Sequence, residues 1–144
     1  DQDFSEEEFN IVSMFDVIEH LPNPGKVLEE IKRILNSNGQ LIINYPEYDS
    51  WPRKIMGGKW PFFLNVHLFY FTPKSIKKIL EKHGFQIVSI EPYFQTLELG
   101  YILERARNIF PVIKWIEKTV KLFGLGQIPF KYYLGQTLVT AKKA

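Results

Sequence analysis

The chain is predicted to adopt an α/β fold, and three observations carry the prediction. A strand–helix–strand pattern fills residues 9–45, a helix followed by a strand fills 72–91, and a β-branched apolar segment lies near the end of the chain at 132–141. With 144 residues the chain is long enough for one domain with a real core, and 1–144 is read as a single domain.

Residues 9–14 form a short apolar run, the signature of a buried parallel strand. Asn23 is a good N-cap and Pro24 a good first helical residue, because Asn accepts from open amides and Pro has no amide to leave unpaired. Val27, Leu28, Ile31, Ile34 and Leu35 recur at helical spacing, and Asn38-Gly39 supplies a stop. Leu41 to Tyr45 is a second buried strand ended by Pro46, and a right-handed crossover makes it parallel to the first. Residues 46–71, rich in Trp, Pro, Gly and Phe and without a clean period, read as an ordered aromatic insertion or lid. Thr72-Pro73 starts a helix with Ile76, Ile79 and Leu80 on one face, Gly84 ends it, and 85–91 is a third strand. Two helical patterns follow in 97–123. Leu99, Ile102, Leu103 and Ala106 mark one and Val112, Ile113, Ile116 and Val120 the other, with Pro111 in the first turn of the second. Residues 132–141 close the sheet.

The formal net charge of +2 is too small to indicate nucleic-acid binding, and no nucleic acid is expected as a partner. Without cysteine there is no disulfide framework and no thiolate metal site. No signal peptide or run of membrane-spanning length is visible, so the cytoplasm is the expected location. Three Trp, seven Tyr and twelve Phe fit either a well-filled core or a surface for a flat or greasy ligand. Arg105, Arg107, Lys114, Lys118 and Lys121 sit beside apolar faces that include Leu122 and Phe123. Such a surface could rest on an anionic membrane or accept a lipid-linked substrate, and more often it is a helical hairpin packed on its own sheet or on a partner subunit.

In an open α/β sheet, ligands sit outside the carboxyl ends of the strands, where this chain crowds Asp16, Glu19 and His20. A spacing of i, i+3, i+4 puts all three on one face of a helical turn, where they could converge on magnesium (Mg) or manganese. His20 could instead act as a general base. The same residues could also simply satisfy backbone amides and one another or cap the following helix.

The order strand, Phe15-Asp16-Val17-Ile18-Glu19-His20-Leu21-Pro22-Asn23-Pro24, helix, Asn38-Gly39, apolar strand, Pro46 resembles the second half of a class I S-adenosylmethionine-dependent methyltransferase. Thr72-Pro73 followed by His83-Gly84-Phe85 strengthens the resemblance. It implies a partial Rossmann-like sheet of parallel strands with a closing antiparallel strand, plus a helical insertion at 97–123. Asp1-Gln2-Asp3-Phe4 resembles the segment just before the family's fourth strand, so the first three strands and the glycine-rich cofactor loop are expected to lie outside these residues. S-adenosylmethionine is the implied cofactor, with Met14, Phe15 and Asp16 beside its adenosyl part. Some relatives, among them quinone-biosynthetic and small-RNA O-methyltransferases, hold a divalent ion on a pattern like Asp16, Glu19 and His20, and the latter add a distant His, a part open to His67. Tyr45, Trp51, Trp60, His67 and Tyr70 are the implied acceptor contacts, with filling of a small second core as their other reading.

The resemblance implies methyl transfer to a small-molecule acceptor such as a sugar, a quinone or a lipid-linked intermediate. A non-catalytic α/β interaction or dimerisation module derived from such an enzyme is the alternative, and RNA modification ranks last for want of a basic groove. An apolar strand at 9–14 without its usual neighbour would expose a sheet edge, so a homo-oligomer is expected.

Overall fold

In the computed structural model, which describes residues 4–108 and 110–144, Phe9–Phe15 forms β1, and the two-residue period of a strand turns Met14 into the core and leaves Phe15 half-exposed. Helix α1 (Pro24–Ile34) starts as its sequence dictates: the Asn23 side chain accepts from the Lys26 amide, and Pro24 occupies the first turn. Leu28, Ile31 and Ile34 are its buried face.

The helix does not run to Asn38-Gly39. It ends at Leu35, whose backbone is already extended (φ −74°, ψ 135°), and β2 (Leu35–Pro46) begins there. Phe9 pairs with Leu35 and Ile11 with Gln40, so residues 36–39 bulge out of register. Gly39 permits the bulge, since a Cβ there would lie 2.8 Å from Leu35 Cδ2. Pairing with β1 therefore outweighs the helical period at Leu35.

Inside 46–71 lies a short helix, α2 (Trp51–Met56). Helix α3 (Pro73–Lys82) carries a reciprocal cap: Thr72 Oγ1 accepts from the Ser75 amide at 3.1 Å and Ser75 Oγ from the Thr72 amide at 2.8 Å. Strand β3 (Phe85–Glu98) extends beyond the predicted 85–91. Helices α4 (Leu99–Arg107) and α5 (Ile113–Leu122) follow, and Pro111 precedes the N-cap Val112 rather than entering the first turn. Strand β4 (Pro129–Lys143) overruns the predicted 132–141 at both ends.

The strand order is β1-β2-β4-β3, with β1 and β2 parallel and β2 and β4 antiparallel, so the parallel pair and the antiparallel closing strand are present as expected. Strand β1 is an edge of this sheet, and Ile11 on it is exposed.

Where the sequence reads one domain, the chain packs as two compact units, 1–93 with 135–144 and 94–134. In the first, Leu28 and Ile31 of α1, Ile76 and Leu80 of α3, and Leu41, Ile43, Phe85, Val139 and Ala141 of the strands form one core cluster. Gly135 sits at φ 94°, where a Cβ would fall 2.3 Å from Ser50 Oγ, and its carbonyl accepts from the Glu47 amide at 2.7 Å. That contact pins the start of the aromatic insertion to β4.

In the second unit the Leu99 amide bonds the Ile128 carbonyl at 2.9 Å, and Tyr132 donates to Gln95 Oε1 at 2.5 Å. Its one buried side chain among the described residues is Glu117 of α5, held by Arg107 Nη1 at 3.0 Å and Lys121 Nζ at 2.6 Å. The Lys121 hydrogen bond, followed by that of Arg107, holds the Glu117 carboxyl below its ordinary range. Val112 and Ile116, expected to mark a buried stripe, are exposed.

Candidate active site at the carboxyl end of β1

The chain leaves β1 through Asp16, whose backbone lies in the left-handed region (φ 51°) while its amide still bonds the Asn44 carbonyl of β2 at 3.2 Å. Aspartate tolerates that region better than most residues. A single 3-10 turn follows over Ile18–His20, anchored by Ile18, which is fully buried. The Glu19 carbonyl accepts from the amides of Leu68 (2.8 Å) and Phe69 (3.2 Å), so this turn holds the far end of the insertion in place.

Three functional groups converge here. The Glu19 side chain is 1% exposed, and neither carboxylate oxygen has a hydrogen-bond partner among the described residues. His20 Nδ1 lies 3.0 Å from the Val66 carbonyl, which places the proton of the neutral ring on Nδ1 and leaves Nε2 as the basic atom. The His67 ring meets that of His20 edge to face with centroids 4.7 Å apart, and the Phe62 backbone is a polar neighbour of the ring. One donor atom from each of Glu19, His20 and His67 lies within 4.8 Å of the others. A buried carboxylate without a partner is expensive, so a site that keeps one has a use for it.

Burial raises the pKa of Glu19, the Asp16 charge adds to the rise, and the residue's own backbone and His20 oppose it. Burial, and next the charge of His20, lower the pKa of His67, against a weaker pull from Phe62 and Asp16. A carboxyl raised by folding contributes stability that is complete below its unfolded value near 4.5 and is lost as pH rises through the folded value. The lowered imidazole works in the opposite sense, its contribution being complete above about 6.5 and lost as pH falls. Glu19→Gln, which cannot ionise, is therefore expected to gain stability relative to the ligand-free wild type as pH rises from about 4.5 to 8. Urea denaturation of both proteins across that range checks this, and a difference that stays flat contradicts it.

A family model described as "Methyltransferase domain" matches residues 1–90. The chain belongs to this methyltransferase domain family. An uncharacterized protein of Methanocaldococcus jannaschii is 30% identical over 89 residues, which are 60% of this chain and 42% of that protein. Two solved structures share the fold. One is a SAM-dependent methyltransferase from Thermotoga maritima, with TM-score 0.61 and 18% identity over 100% of this chain and 60% of that one. The other is a SAM dependent methyltransferase from Archaeoglobus fulgidus, with TM-score 0.59 and 19% identity over 97% and 62%. The chain thus spans less than two thirds of the length of each of these relatives.

On this methyltransferase domain the residues singled out by sequence separate into three groups. Glu19, His20 and His67 come together as described, and Phe15 stands half-exposed beside Tyr93 with ring centroids 6.1 Å apart. Trp51 is exposed, and Tyr70, half-buried, donates from its hydroxyl to the Leu64 carbonyl at 3.3 Å. Asp16, Met14, Tyr45 and Trp60 depart from expectation. The left-handed backbone at Asp16 breaks the helical turn that i, i+3, i+4 assumes, and its carboxylate accepts from Gln136 Nε2 at 2.6 Å, so His67 replaces it in the cluster. The Met14 side chain lies in the core, as does Tyr45, and neither offers a surface to cofactor or acceptor. Trp60 is 2% exposed and packs on Phe62 and Phe63 at 5.3 Å, the filling of the insertion rather than an acceptor contact. Sequence reasoning missed Gln136, which bridges Asp16 and, at 3.2 Å, Asn44 Oδ1. A glutamine beside Gly135 in the closing strand was the available signal.

Proposed function

We propose that this chain forms the acceptor-side part of an S-adenosylmethionine-dependent methyltransferase whose acceptor is a small molecule with a hydroxyl or amine nucleophile. The observation that carries this reading is the buried, unpartnered Glu19 carboxylate beside His20 and His67 at the carboxyl end of β1. When bound, S-adenosylmethionine supplies a methyl group already activated as a sulfonium, so the protein's share of the work is positioning and proton removal. His20 Nε2 takes the proton of the acceptor, the Val66 carbonyl holds the ring in the tautomer that allows it, and Glu19 stabilises the imidazolium that results. Exposed Phe15, at the strand end, offers a flat apolar face to the adenine. A non-catalytic module would have no use for an unpartnered buried carboxylate, which favours the enzyme.

The donor set supports a second reading of the same cluster. One carboxylate and two imidazoles within reach of one another suit zinc, manganese or ferrous iron better than the magnesium expected from two carboxylates and one imidazole. Glu19, His20 and His67 would hold such an ion, and it would act as a Lewis acid that lowers the pKa of the acceptor hydroxyl.

Calorimetric titration of the protein with S-adenosylhomocysteine tests the first reading without an acceptor. Saturable binding, weakened about tenfold by Phe15→Ser through the loss of roughly one stacked aromatic face, is the expected result. Binding indifferent to Phe15 overturns the cofactor placement; absence of binding at millimolar ligand means that these residues do not hold the cofactor without the glycine-rich loop, or that the chain is a module that has left catalysis behind.

A further inference from the structure

We propose that α5 and the turn after it form a peripheral docking surface for an anionic phospholipid membrane. More than half of the large hydrophobic side chains exposed among the described residues belong to 94–134, and no apolar side chain described in that unit is buried. Val112, Trp115, Ile116, Leu122 and Phe123 recur at helical spacing along one side of α5, and each is more than half exposed. A stripe of that size left in water is a surface waiting for cover.

The charges around the stripe identify what covers it. Residues 101–131 carry Arg105, Arg107, Lys114, Lys118, Lys121 and Lys131 against two acids, Glu104 and Glu117. Glu117 is buried and clasped by Arg107 and Lys121, and Glu104 pairs with Arg107, which leaves Arg105, Lys114, Lys118 and Lys131 outside these ion pairs. On the helical wheel Lys114 and Lys118 lie next to Leu122 and Trp115, along one border of the apolar stripe. A cleft of about 550 Å³ is lined by Arg107, Lys114, Trp115, Glu117, Lys118 and Lys121, so cationic and aromatic side chains meet there.

An apolar stripe beside a cationic border, with Trp at the boundary, is the arrangement that lies in the plane of an anionic interface. The protein would rest on the bilayer rather than cross it, since among the described residues no helix is long and apolar enough to span one. A second copy of the chain is disfavoured as the occupant, because two copies of this face would oppose like charges.

Flotation with vesicles tests the proposal, using phosphatidylcholine alone and phosphatidylcholine containing roughly one third phosphatidylglycerol. Binding is expected only to the anionic vesicles, and it should weaken as salt rises from about 0.1 to 0.5 M. Lys114→Gln with Lys118→Gln should lower the partition coefficient roughly thirtyfold, and Trp115→Ser about tenfold. All three positions are exposed, and circular dichroism of each variant verifies that the fold is intact. Lys74→Gln with Lys78→Gln on α3, an equal change in net charge, should leave binding unchanged. Equal binding to both vesicles, or an equal loss in the α3 control, overturns the proposal. So does a dimer in sedimentation velocity that Trp115→Ser converts to monomer, because a second copy would then cover the face.

Discussion

Replacing His20 by alanine is expected to lower kcat about 10²–10⁴-fold, the range spanned by positioned general acid–base groups, with KM little changed. The expectation follows from how the side chain is held. It sits in a 3-10 turn whose Ile18 is sunk in the core, its Nδ1 is tied to the Val66 carbonyl, and the ring belongs to the cluster with Glu19 and His67. Release of S-adenosylhomocysteine in the presence of acceptor measures the effect. Prior treatment with a chelator separates the two roles open to the ring. If the chelator reproduces the loss and zinc or manganese restores the wild type but not Glu19→Gln, His20 is a metal ligand. If the chelator does nothing, it is the base. A loss smaller than about tenfold would remove His20 from the chemistry altogether.

Trp60→Ala is expected to cost about 3–5 kcal/mol, among the largest stability effects available in this chain. Trp60 is the largest fully buried side chain, and the rings around it form a connected set. Phe62 and Phe63 lie at 5.3 Å, and Phe63 passes the contact on to Tyr70 at 5.4 Å and Tyr48 at 6.2 Å, with the Arg53 guanidinium 3.8 Å above Tyr48. The set reaches His67 through Tyr70, whose ring lies 5.9 Å from the imidazole, and the turn that carries His67 is closed by its own amide on the Leu64 carbonyl. Urea denaturation gives the magnitude. Hydrogen exchange should show amides of 60–71 losing protection ahead of those of β2. A loss below about 1 kcal/mol would mean that the insertion packs without its indole.

These residues also show where sequence reasoning reaches and where it stops. The caps of α1 and α3 were legible because Asn23-Pro24 and Thr72-Pro73 act within a few residues of themselves. The end of α1 was not, because Leu35 continues the helical period and only its pairing with Phe9 shows that it belongs to a strand. The far half of β3 was missed for a related reason: Pro92 and mostly half-buried or exposed neighbours give no strong alternation. At the site, Glu19 and His20 were visible from their place after a strand. That Asp16 stands outside the cluster was not legible, because a positive φ cannot be seen in a pattern of residue types. His67 was only a distant candidate, since its meeting with His20 is tertiary. Tyr45 and Trp60 look alike as composition and differ from exposed Trp51 only once burial is known.

Glu19 is attached to the insertion by its main chain and to the site by its side chain: the carbonyl holds the Leu68 and Phe69 amides while the carboxyl lies buried beside His20 and His67. Any opening of this turn that lets water reach the carboxyl would return its pKa toward the ordinary value near 4.5. At any pH between the raised and the ordinary value, opening therefore releases a proton, and each opening is favoured further as the solution becomes more alkaline. Mechanical access to the site and its proton inventory are thus two readings of a single equilibrium.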